Sequence, residues 1–186
     1  MKGEDWFSRH IPYWRDAMAP LFCSKPMDAL EVGSYEGRSA LWIVQEMLTH
    51  PQSTLTCVDT WDGKDKVLGF STATAEHEFD RNLAPYIGKL RKLKARSIDA
   101  LTMLVQEHRR FSLVHIDGCH EGLTVLSDLL LSWELLEPGG FLVADDYRWA
   151  SRCLRAQPKD AWDAFAAMRP RMSLEHQFRQ CIARKE

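Results

Sequence analysis

The chain has 186 residues, 45% apolar and 27% charged, with a formal net charge of −2. That length suits one domain with a proper core, and the mixed charges leave no basic stripe of the kind that binds nucleic acid. No apolar run approaches the roughly 18 residues of a membrane span, so no membrane partner is expected. The opening Met1-Lys2-Gly3-Glu4-Asp5-Trp6 lacks the apolar core of a signal peptide. Five scattered cysteines (Cys23, Cys57, Cys119, Cys153, Cys181), odd in number and without C-x-x-C spacing, read as reduced thiols. Both features predict a cytoplasmic protein.

Residues 1–26 form an N-terminal helical segment, and residues 27–186 the main domain. Phe7, Ile11, Trp14 and Met18 recur at helical spacing, and Pro12 suits a first turn. The stripe fits a helix packed on the body of the domain, a lid over a substrate, or the contact of a homodimer. Pro20 and Pro26 bracket the link to an apolar strand, Met27 to Val32.

That strand gives way to Gly33-Ser34-Tyr35-Glu36-Gly37-Arg38-Ser39. Two glycines four apart allow a tight turn and bring bare main chain close to a ligand. Open α/β sheets bind nucleotides at such a point. Glu31, at the strand end, would repel a pyrophosphate and attract a sulfonium or ammonium. That favours S-adenosylmethionine over NAD, and the spacing also departs from the G-x-G-x-x-G fingerprint. An amphipathic helix through Ala40, Leu41, Ile43, Val44, Met47 and Leu48 follows. A β-branched strand, residues 53–59, then ends in Asp59. Asp59 can accept both ribose hydroxyls of a nucleoside, or serve as a cap or turn residue. In the adjoining Thr60-Trp61-Asp62-Gly63, Trp61 can cover an adenine face or pack under the loop.

Residues 64–75 read as a mobile loop, and Glu76 to Tyr86 as a helix with Phe79 and Leu83 on one face. Lys89 to Arg96 reads as an edge strand. Ser97 then caps a helix or, with Arg96, touches the adenine.

Strand 111–117 ends in Asp117-Gly118-Cys119-His120. A helix with the apolar face Leu126, Leu129, Leu130, Trp133 and Leu136 follows and is broken by Pro138-Gly139-Gly140. Strand 141–144 closes with Asp145-Asp146-Tyr147. Strands alternating with helices imply a parallel sheet, which puts Glu31, Asp59, Asp117, Asp145 and Asp146 along one rim. Carboxylates crowded there take up a proton or surround a cation. Hard oxygen donors favour Mg²⁺ or a similar ion over zinc. Such an ion can hold a substrate hydroxyl and lower its pKa, with His120 as the base. Alternatively, Asp145 and Asp146 cap the next element and His120 is a turn residue. Pro158 to Phe165 starts a last helix, and residues 172–178 and 180–183 read as two short strands.

The glycine-turn block, Cys57-Val58-Asp59-Thr60, Ile116-Asp117-Gly118-Cys119-His120 and Pro138-to-Tyr147 together resemble a class I S-adenosylmethionine-dependent methyltransferase. More narrowly, they resemble the small family with macrolide-sugar O-methyltransferases and cephalosporin-hydroxylase-like proteins, over roughly residues 27–147. The resemblance implies a Rossmann-like, doubly wound α/β fold. Its mostly parallel seven-stranded sheet would end in a C-terminal antiparallel hairpin. It implies that Glu31, Gly33, Ser34 and Gly37 hold the methionine part of the cofactor and Asp59 the ribose; Thr60, Trp61, Ser97 and Asp117 are the further cofactor contacts expected from their places in the sequence. It also implies Mg²⁺ on Asp117, Asp145 and Asp146, with His120 as base. The activity so implied is O-methylation of a small hydroxylated acceptor, a sugar or catechol-like diol. A non-catalytic cofactor-binding domain and a metal-dependent hydroxylase are the alternatives.

Overall fold

A computed structural model describes residues 4–22, 25–62, 73–169 and 172–186. Seven strands form one sheet: β1 (Asp28–Val32), β2 (Thr54–Asp59), β3 (Leu90–Lys94), β4 (Phe111–Ile116), β5 (Leu136–Ala144), β6 (Met172–Gln177) and β7 (Cys181–Lys185). Their order is β3-β2-β1-β4-β5-β7-β6. The first five run parallel, and β7 is antiparallel to both β5 and β6. The doubly wound sheet with its C-terminal hairpin is therefore the expected one, and β3 lies at an edge as its mixed sequence suggested.

Among the described residues six α-helices accompany the strands: α1 (Ile11–Ala17), α2 (Arg38–Trp42), α3 (Ala75–Leu83), α4 (Ser97–Gln106), α5 (Gly122–Leu135) and α6 (Pro158–Ala167). Alternation along the strands divides the core into two faces. Leu30, Val32, Val114, Ile116, Leu142 and Ala144 pack with Leu101, Leu129, Trp133 and Phe165 of α4, α5 and α6. Ala29, Leu55, Leu113, Val143 and Ile182 pack with Phe7, Trp14, Ile43 and Met47 on the other face. Strand parity puts Glu31 and His115 on that second face, beneath the N-terminal segment. Trp14 and Met18 are fully buried there, so the apolar stripe of residues 7–18 is covered from within.

Local details differ from expectation. The second helix runs from α2 into a π-helical turn, Ile43–Met47. Arg96, extended at φ −65° and ψ 145°, takes the cap position of α4, and no side chain caps that helix. Ser97 is its first helical residue. Leu130 lies on the outer side of α5, where Asp128 and Ser132 are buried instead. α5 stops at Leu135, and Pro138-Gly139-Gly140 lies within β5, where the β4–β5 register shifts, rather than forming a separate break. Most of the loop expected over residues 64–75 lies outside the described residues. Among the described residues no helix is long and apolar enough to cross a membrane, and Cys57, Cys119, Cys153 and Cys181 are free thiols.

Candidate active site

The strand order reverses between β1 and β4, and ligands of open α/β sheets bind at the carboxyl ends of strands at such a point. The glycine turn is built there. Gly33 leaves β1 at φ +90°, and a Cβ on it would overlap the Asp117 carbonyl. Main chain thus approaches main chain: Gly33 N–H donates to Val58 O and Asp117 N–H to Val32 O, both at 2.8 Å. Gly37, at φ +81°, faces Leu83 and Phe79, and its N–H donates to Ser34 O at 2.7 Å.

Asp59 clamps this turn to the end of β2. One carboxylate oxygen accepts the Tyr35 amide and the other the Trp61 amide, each at 2.8 Å. Burial pushes the Asp59 carboxyl up, and the two amides oppose the shift. Trp61 Nε1–H donates to Tyr35 O at 2.9 Å. Its ring packs 4.9 Å from Phe79, with Lys92 4.7 Å from its centre. Packing under the loop therefore accounts for the ring of Trp61, and Asp59 has a turn role whatever else it holds. Thr60 is exposed between them. Ser34 is buried inside the turn. The Ser97 hydroxyl bears on the buried carboxyl of Asp128, which it helps keep from rising further.

At the ends of β4 and β5 the structure brings Asp117 and Asp145 together and turns Asp146, the third expected carboxylate, toward His120. Asp145 accepts the Asp146 amide at 2.6 Å on one oxygen and the Gln180 side-chain amide at 2.8 Å on the other. Gln180 in turn accepts the Trp14 indole N–H at 2.7 Å. Asp146, in a left-handed conformation at φ 59°, places a carboxylate oxygen 2.7 Å from His120 Nε2. The His120 ring lies 4.5 Å from that of Trp149. Asp146 is thus engaged with the expected base. Burial and the charges of Asp145, Asp146 and Glu31 push the Asp117 carboxyl well above the usual carboxylate range, with Arg9 opposing. Burial and Asp146 also raise Asp145, against His115 and the Gln180 bond.

His115 is the residue that sequence reasoning missed. Its Nδ1 lies 3.2 Å from Glu31 Oε1, and both side chains are wholly buried. Among the described residues, His115 Nε2 and Glu31 Oε2 have no hydrogen-bond partner. One imidazole nitrogen and one oxygen from each of Asp117 and Asp145 lie within 4.8 Å of one another. The signal was present: His115 and Asp117 are two apart on a strand and so share a face. Gln180, in the β6–β7 turn, left no comparable mark.

The N-terminal segment roofs this rim. The rings of Trp14 and Phe7 lie 5.0 Å and 6.4 Å from that of His115. His10 is buried, and that burial, with Arg9 at 3.1 Å, lowers its pKa to about 4. A cation fits here on two grounds. Buried carboxylates repel one another, and a buried imidazole nitrogen has no partner. The unpartnered Glu31 oxygen at the end of β1 likewise fits a positively charged cofactor group nearby.

A family model described as a methyltransferase domain matches residues 30–147. No curated protein matches. Among solved structures, a Klebsiella pneumoniae protein provisionally described as an O-methyltransferase aligns over 99% of this chain and 83% of its own, with a TM-score of 0.71 and 15% identity. The O-methyltransferase TomG from Streptomyces achromogenes, involved in tomaymycin synthesis and solved with S-adenosylmethionine, aligns over 94% and 79%, with a TM-score of 0.68 and 14% identity. MycE from the mycinamycin pathway, solved with Mg, S-adenosylhomocysteine and mycinamycin VI, aligns over 98% of this chain but 50% of its own, with a TM-score of 0.68 and 12% identity. At these identities the structural likeness establishes the fold.

Proposed function

Since the chain belongs to the methyltransferase-domain family, we propose that it is a metal-assisted O-methyltransferase acting on a small hydroxylated acceptor, a sugar or a catechol-like diol. One observation carries this reading. The glycine turn and the acidic rim meet at the strand-order reversal, where the Gly33 main chain touches that of Asp117. The donor and acceptor sites thereby share a wall.

The sulfonium of S-adenosylmethionine supplies the methyl group. Glu31, Gly33, Ser34 and Gly37 shape the pocket for its methionine part, and Asp59 orders that turn while lying at the ribose position. Asp117 and Asp145, with Asp146 beside them, would hold a divalent cation such as Mg²⁺, whose charge lowers the pKa of an acceptor hydroxyl and orients it. His120 takes the hydroxyl proton on Nδ1, and Asp146, against Nε2, orients the ring and stabilises the imidazolium. Positioning and electrostatics supply most of the rate, because methyl transfer needs no covalent help from the protein. The N-terminal segment acts as a lid that excludes water, its apolar stripe buried inward over His115. Free thiols and the lack of a spanning helix among the described residues suit the cytoplasm as its place of action.

Calorimetry with S-adenosylmethionine, with and without EDTA, and radiolabelled methyl transfer to a panel of diols test the proposal. Asp59→Ala is expected to weaken cofactor binding. Asp145→Ala should spare it and abolish metal-dependent turnover, and equal cofactor loss in both would refute the division of roles. His120→Ala should lower turnover by about 10²-fold or more; an unchanged rate removes it as the base. Cofactor binding without transfer to any acceptor would favour a non-catalytic binding domain.

A further inference from the structure

We propose that His115 is itself a metal ligand, joining Asp117 and Asp145, and that the site therefore prefers Mn²⁺ or another first-row transition ion to Mg²⁺. The inference rests on the reading of the acidic rim as a metal centre and changes its donor set. Three observations point to it. The imidazole and the two carboxylates already offer donor atoms within 4.8 Å of one another. His115 is fully buried, and its Nε2 has no hydrogen-bond partner among the described residues. A buried imidazole nitrogen left so is costly unless something occupies it. Finally, the other ring nitrogen lies 3.2 Å from the Glu31 carboxylate.

That last contact has the form of a carboxylate–histidine–metal relay. In such relays the carboxylate fixes the tautomer and ring orientation and raises the basicity of the ligating nitrogen. With Nδ1–H donating to the Glu31 carboxylate, Nε2 carries the lone pair a cation needs. Asp146, the expected third carboxylate, is drawn instead to His120 at 2.7 Å. Gln180 holds one Asp145 oxygen at 2.8 Å, and Trp14 holds Gln180, so that carboxylate is oriented from behind. Magnesium prefers oxygen donors and retains its waters, whereas a nitrogen donor shifts preference toward manganese, iron or zinc.

Mn²⁺ is the probe that tests this. The purified protein is loaded with Mn²⁺, and pulsed electron paramagnetic resonance looks for nitrogen coupling, in natural-abundance protein and in protein carrying ¹⁵N-histidine. Competition calorimetry in the same preparation compares Mn²⁺ with Mg²⁺. The expected result is Mn²⁺ binding at least about tenfold tighter than Mg²⁺, with histidine nitrogen coupled to the ion. The coupling should persist in His10→Phe and His120→Phe, which remove the two neighbouring imidazoles, and vanish in His115→Phe. Glu31→Gln should weaken Mn²⁺ by about 10- to 100-fold. If His115→Phe fails to fold, coupling that survives in both other variants still assigns the nitrogen.

Bound Mn²⁺ without histidine coupling, or coupling lost with His120, overturns the assignment and leaves a metal on carboxylates alone. No metal binding at all also overturns it. S-adenosylmethionine affinity, measured on the same samples, separates the two failures: cofactor binding without metal leaves the methyltransferase reading standing.

Discussion

The two halves of the sheet's carboxyl rim are held together in different ways. Beside β2 the polar groups close on one another: Gly33 N–H on Val58, two amides on Asp59, and the Trp61 indole on Tyr35. Beside β4 and β5 they close only in part, Asp145 accepting two amides and Asp146 meeting His120. Glu31 Oε2 and His115 Nε2 are buried without partners among the described residues, and the Asp117 and Asp145 carboxyls are pushed upward. Each buried polar group left unmet costs about 1–3 kcal/mol. The first half is a shape that the backbone makes for itself. The second is an arrangement of charge that a ligand or a proton must complete.

The largest effect tests the shape. Gly33→Ala is expected to cost at least about 3 kcal/mol, or to prevent folding, because the new methyl would meet the Asp117 backbone at a φ of +90°. Gly37→Ala shares the left-handed strain but meets only the side chains of Leu83 and Phe79, which can turn; about 1–2 kcal/mol is expected. Urea unfolding measures both, and equal losses would mean that the β1–β4 approach is deformable.

Asp128 provides a control for the charge argument. It is also a buried carboxyl, but it lies on the opposite face of the sheet, in α5. Burial raises its pKa from 3.8 to about 6. The folded state therefore holds the proton more tightly than the unfolded one. Its contribution to stability is fully present below pH 3.8 and is lost as pH rises through about 6. Asp128→Asn should abolish that slope and add about 2–3 kcal/mol at pH 7 to 8, read from denaturation midpoints across pH. Mn²⁺ should leave the Asp128 slope untouched. A metal-sensitive slope would erase the distinction between a buried acid and a ligand site.

Most of the fold was legible because its signals are local and periodic. The run to Val32 ending at Gly33, the strand ending in Asp59 and the Asp117 and Asp145 strand ends each carry their own stop. Parallel pairing then forces them onto one edge. The finer site was legible only in part, because its bonds span long stretches of chain. His115 meets Glu31 across 84 residues, and Trp14 meets Gln180 across 166. No periodicity records such a pairing. Trp61 is a different case, since its sequence context fitted both a ligand contact and packing under the loop, and the structure shows its ring against Phe79.

The smallest effect asks whether the N-terminal segment bears on the proposed metal site. Trp14→Phe keeps an aromatic ring against His115 and removes only the N–H that Gln180 accepts at 2.7 Å. The direct cost is one buried acceptor left unmet, about 1–2 kcal/mol. Gln180 is then free to turn, and Asp145 loses the amide that fixes its outer oxygen. Mn²⁺ affinity should fall by a few-fold while S-adenosylmethionine affinity holds, because the glycine turn makes no use of this chain of bonds. Gln180→Leu should reproduce the loss of metal affinity with Trp14 intact. Were both variants to bind Mn²⁺ as tightly as the parent, the N-terminal segment would be packing alone, and Asp145 would be held by its own strand end.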